Sequence, residues 1–88
     1  MTQHQPLASV APGLYQLLCI LSDYNDKEDL RELLHAPYHI QSRHILLCAY
    51  GDLRAFLNTL YLNEVIPADL YGKLCGEASN LYANTLGI

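Results

Sequence analysis

The sequence predicts an all-α domain, and three observations predict it. Leucine, a strong helix former, is the commonest side chain, with eighteen in 88 residues. Residues that favour strands are scarce, and valine occurs only at Val10 and Val65. Apolar positions recur at helical spacing and do not alternate. Their phase divides the chain into a compact bundle of about four helices in one domain spanning residues 1–88, with the last two helices as an antiparallel hairpin.

Residues 1–8 read as a flexible arm. Ser9 is a capping residue and Pro12 suits the first turn of a helix. Leu14, Leu17, Leu18 and Leu21 continue that helix on one face to about Asp23. After a turn-like Ser22–Asp26, Asn25 and Glu28 read as a capping pair. Asp26, Glu28 and Asp29 favour the positive end of the second helix. Leu30, Leu33 and Leu34 give it a short buried face, and Pro37 is predicted to end it at Ala36.

The third helix is predicted over about 39–63. Ile45, Leu46, Ala49, Tyr50, Leu53, Phe56, Leu57 and Leu60 cluster on one side. Gly51 lies among the polar residues, and the apolar stripe keeps phase through it, so one continuous helix is expected. Leu47 and Leu62 fall outside the apolar face. Asn63–Pro67 forms the next corner, with Pro67 in the first turn of a helix that runs to about Asn84. So short a connection makes these two helices antiparallel neighbours.

The last helix carries small residues at i, i+4, i+7 and i+11: Gly72, Gly76, Ser79 and Ala83. Leu70, Leu74, Ala78, Leu81 and Tyr82 point mostly the other way. Each helical glycine costs about 1 kcal/mol relative to alanine. Close approach of another helix would offset that cost. The plainer alternative is a local break, or an exposed face under no constraint. Six of the seven tyrosines sit at edges of apolar faces, where core-edge packing accounts for most. Tyr61, beside the out-of-phase Leu62, is the one best placed to meet a partner.

Composition narrows the function classes. The net charge is −4 and no basic cluster occurs, which disfavours nucleic acid as a partner. Cys19, Cys48 and Cys75 are odd in number and form no CxxC pair, which fits reduced thiols in the cytoplasm. The first residues lack a signal peptide's basic start, and the apolar run near Leu14–Leu21 is too short to span a bilayer. His44, Cys48 and Asp52 share a helical edge, with His35 and His39 nearby, but their spacing matches no finger motif, and no metal is expected. A Cys48–His44 pair lacks an orienting third group. No phosphate loop or nucleophile elbow is present. The chain is therefore expected to be neither an enzyme nor a cofactor binder.

What remains is a non-enzymatic interaction module: a dimeric adaptor or modulator that binds another protein and redirects or inhibits it. Small size, acidity and the lack of cofactor motifs are shared by many accessory proteins of phages and mobile elements. The expected partner or dimer surface comprises Leu47, Tyr61, Leu62, Gly72, Gly76, Ser79 and Ala83, with a homodimer the simplest assembly. The alternative is a helix-turn-helix DNA-binding regulator. It would use the second and third helices, the joint Ala36-Pro37-Tyr38 and the bases Arg43, His44 and Arg54. The acidic balance opposes it.

Overall fold

A computed structural model describes residues 7–86. These fold as five helices: α1 (Leu7–Val10), α2 (Pro12–Ile20), α3 (Tyr24–His39), α4 (Arg43–Leu62) and α5 (Ala68–Leu86). The arm expected over 1–8 lies partly outside the described residues. Its last two residues, Leu7 and Ala8, are helical, and Leu7 belongs to the core.

The expected first helix is two helices. Pro12 has no N–H, and its ring disfavours helical geometry at the residue before it. Ala11 accordingly sits at φ −138° and ψ 70°, outside the helical region. Ser9 lies within α1 and does not cap α2, which ends at Ile20, short of Asp23. The second expected helix begins earlier than the Asn25 cap: Asp23 caps α3, accepting from the Asp26 N–H at 3.0 Å.

The predicted stop at Ala36 is also corrected. α3 continues through Pro37 to His39, closed by an Ile40 N–H to Ala36 carbonyl bond of 2.9 Å. Proline cannot donate to the carbonyl four residues back, so Leu33 loses its usual partner. Tyr82 of α5 supplies one instead, donating its hydroxyl to the Leu33 carbonyl. With that acceptor satisfied, the helix tolerates the proline.

Ser42 caps α4, which starts at Arg43 where 39 was expected. It runs unbroken through Gly51, and a Cβ added there would meet none of the described residues within 4 Å. Gly51→Ala is therefore expected to stabilise the domain by about 1 kcal/mol, read as a higher denaturation midpoint. Loss of stability would mean that the position has a hidden constraint.

The α4–α5 corner is a Schellman motif. Val65 N–H reaches the Leu60 carbonyl and Glu64 N–H reaches Tyr61's, at 2.9 and 3.1 Å. Glu64 adopts φ 61°, the left-handed position usually held by glycine.

Leu46, Leu53, Leu57 and Leu60 of α4 face Leu74, Ala78, Leu81 and Tyr82 of α5 and the buried leucines of α2 and α3 in one core. Ile45, expected on that face, is 51% exposed. It sits at the margin of the stripe, about 80° from Leu53, in the helix's first turn. Early residues of α4 meet late residues of α5 (Tyr50 with Ser79 and Tyr82) and late ones meet early ones (Tyr61 with Tyr71), so the hairpin is antiparallel. α3 and α4 form a second antiparallel pair across the short link 40–42.

Candidate functional site

With α1, α2 and α3 packed on one side of the α4–α5 hairpin, its other side is open. At 100° per residue, Gly72, Gly76, Ser79 and Ala83 span about 60° of α5, opposite the buried Leu74 and Leu81. On α4, Leu62 and Gly51 lie opposite the buried Leu53, while Leu47 and Tyr61 lie between that outer line and α5. All seven residues of the expected contact surface therefore belong to one side of the molecule. Leu62 is 68% exposed, Leu47 46% and Tyr61 37%.

The residues differ in how free they are. Gly72 and Gly76 are exposed, and a Cβ at either would meet none of the described residues within 4 Å. Close packing among the described residues therefore does not explain these two glycines. Ser79 is already engaged: its Oγ lies 2.7 Å from the Tyr50 hydroxyl of α4. Ala83 is half-buried. The small stripe thus divides into an open half, Gly72 and Gly76, and a half that helps to seal the hairpin.

A ladder of polar and aromatic contacts runs along this seam. Tyr61 and Tyr71 stack with ring centroids 4.8 Å apart and planes 6° from parallel. Tyr71 donates to Asn58 Oδ1 at 3.4 Å. Desolvation raises the Tyr71 pKa, as does a hydrogen bond with Cys75. Further along, the Arg54 guanidinium lies 5.9 Å from the Tyr50 ring centroid. Leu47, Tyr50, Arg54, Asn58 and Tyr61 recur at i, i+3, i+7, i+11 and i+14, one stripe of α4. Sequence reading singled out Leu47 and Tyr61 but not Arg54 as their companion, although that heptad-like spacing was available as a signal.

The outer side offers exposed apolar and small side chains of both helices. Among the described residues, no three His, Cys, Asp or Glu side chains converge on a point that could hold a metal ion. The edge formed by His44, Cys48 and Asp52 does not assemble one. No described helix is long and apolar enough to cross a membrane. Comparison with protein families, curated proteins and solved structures found no match for this chain.

Proposed function

We propose that the chain is a non-enzymatic protein-interaction module, acting in the cytoplasm, that pairs with a second copy through the outer side of the α4–α5 hairpin. As a dimer it would serve as an adaptor or modulator of another protein. One observation carries this reading. Exposed Leu47, Tyr61 and Leu62 share a surface with two helical glycines, Gly72 and Gly76, that no described residue covers. Glycines in a helix are costly, and a flat backbone surface recovers that cost when a second helix lies against it.

The dimensions suit a modest interface. A 20-residue helix is about 30 Å long, and two helices side by side are about 20 Å wide. That gives roughly 600 Å² per copy, against about 800 Å² in a standard interface. The helix-turn-helix alternative gains nothing from the geometry. α4 is flanked by both α3 and α5, and Asp29, Glu32 and Asp52 line the groove between α3 and α4, where phosphates would be repelled.

Sedimentation equilibrium tests the proposal. The wild-type mass is expected to rise toward that of a dimer with concentration. Leu62→Glu and Gly76→Leu are each expected to hold the protein as a monomer without loss of helical circular dichroism. Ile20→Glu, at a 69% exposed position on α2, is expected to change nothing. A wild-type mass that stays monomeric throughout, or a dimer that survives both outer-side variants, rejects the proposal.

A further inference from the structure

We infer, resting on the dimer proposed above, that its two copies pair about a two-fold axis parallel to the hairpin, with α4 of each copy seated on α5 of the other. Two identical faces meet about a two-fold axis that lies in the plane between them. With that axis along the helices, α4 of one copy covers α5 of the other. With the axis across them, α4 covers α4 and α5 covers α5, each pair antiparallel. These are the two arrangements that lay the helices along one another for their full length.

The levels of side chains along the hairpin separate the two. Tyr61 stacks on Tyr71 at 4.8 Å, so the end of α4 that carries Leu62 is level, within about a turn, with the end of α5 that carries Gly72. At the other end the Tyr50 hydroxyl lies 2.7 Å from Ser79 Oγ, and its ring packs against Tyr82. Leu47, three residues before Tyr50, is thus level with Ala83 within about a turn. The exposed leucines of this side belong to α4, and small residues stand at the same levels on α5. An axis along the helices keeps every level and exchanges the helices. Leu62 of each copy then stands over Gly72 of the other, and Leu47 over Ala83, so a leucine meets a small residue at both ends. An axis across the helices sets Leu47 against Leu62 and Gly72 against Ala83. Leucines then hold the α4 pair apart while the α5 pair has little to fill the space between, and the lost contacts weaken the interface.

Charge favours a second copy as the occupant of this side. The chain carries nine acids against five bases, so two copies repel unless their contact avoids the charges. Within about 60° of the outward direction, α4 from His44 to Leu62 and α5 from Gly72 to Ala83 carry no Asp, Glu, Lys or Arg. Arg54 and Lys73 stand at the edges of this strip. Depletion of charge at the centre with polar groups at the rim is the composition of a protein–protein contact. The arrangement also decides what a third protein meets. Both α4–α5 corners, with exposed Glu64 and Val65, come to the same end of the dimer, side by side.

Isotope-filtered NMR on a mixture of labelled and unlabelled wild-type protein tests the arrangement without any substitution. Contacts between copies are expected from the Leu62 methyls to the Gly72 α-protons and from the Leu47 methyls to the Ala83 methyl. Contacts between Leu47 and Leu62 of different copies, or between the two α5 helices, would overturn it. A pair of variants supplies a second reading by sedimentation. Gly72→Leu fills the seat of Leu62 and is expected to weaken dimerisation about tenfold or more. Adding Leu62→Ala to the same chain restores one large and one small residue at that level, and should recover most of the loss. An undiminished dimer in Gly72→Leu, or no recovery in the double variant, would count against the arrangement. A wild type that stays monomeric removes the dimer itself, whereas a dimer with the crosswise contacts removes this arrangement alone.

Discussion

Tyr82→Phe is expected to destabilise the domain by about 1–3 kcal/mol, a large effect for loss of a single oxygen atom. Tyr82 is 1% exposed, and its hydroxyl donates to the Leu33 carbonyl. Pro37 has no N–H to offer that carbonyl, so phenylalanine at position 82 leaves a part-buried acceptor without its donor. For a domain of this size the loss corresponds to a melting temperature lower by several degrees. A second substitution makes the mechanism testable. Pro37→Ala restores an amide to position 37, and in that background the cost of Tyr82→Phe should shrink. Equal costs in both backgrounds would show that the hydroxyl does not stand in for the missing amide.

The same tyrosine sets a pH limit. Burial, and secondarily the negative Asp52, push its pKa up from 10.0 to about 12. The folded state therefore favours the neutral phenol more than the unfolded state does. That contribution is complete below pH 10 and is lost as the pH rises from 10 toward 12. Denaturation midpoints should fall over that window in the wild type and fall less in Tyr82→Phe.

Glu77→Ala is the second large effect, expected to cost about 1–2 kcal/mol. The start of α2 has no cap of its own, because Ala11 carries no polar side chain. Glu77 of α5 takes that role, accepting from Gly13 N–H at 3.1 Å and Leu14 N–H at 2.9 Å. Its negative charge also faces the positive end of the α2 dipole. Gly13 makes the approach possible: a Cβ there would stand 2.8 Å from Glu77 Oε2 and 3.0 Å from Leu74 Cδ2. Gly13→Ala should therefore displace the carboxylate and cost a similar amount. In the Glu77→Ala background it should cost much less. Additive losses, measured by urea denaturation, would separate the two residues and sink this account.

These ties explain what the sequence conveyed and what it did not. Helical class, the hairpin and its buried leucines were legible because they follow from periodicity, which is local. The continuity of α4 through Gly51 was legible for the same reason. Some boundaries were misread although their signals are local, namely the break at Ala11–Pro12 and the caps at Asp23 and Ser42; others were decided elsewhere in the chain. Pro37 is a valid stop signal that Tyr82 overrides by donating to Leu33, 49 residues away from it in sequence. The uncapped start of α2 is repaired from 64 residues away. At the outer surface, the small stripe was visible as spacing, but only the geometry shows that Ser79 is occupied by Tyr50 while Gly72 and Gly76 stay open. The acid-lined groove between α3 and α4 was not legible, because its two walls come from different helices and neither wall is distinctive alone.

Both long-range ties run backward from α5, to the first turn of α2 and to the last turns of α3. A ribosome delivers α2, α3 and α4 before α5 exists. Until then the start of α2 lacks its acceptor, the Leu33 carbonyl lacks its donor, and the leucines of α4 lack half their cover. α5 is thus the keystone of the bundle: it arrives last and completes its predecessors. A nascent chain halted before Glu77 should remain protease-sensitive throughout, and resistance should appear in one step once Tyr82 has cleared the exit tunnel.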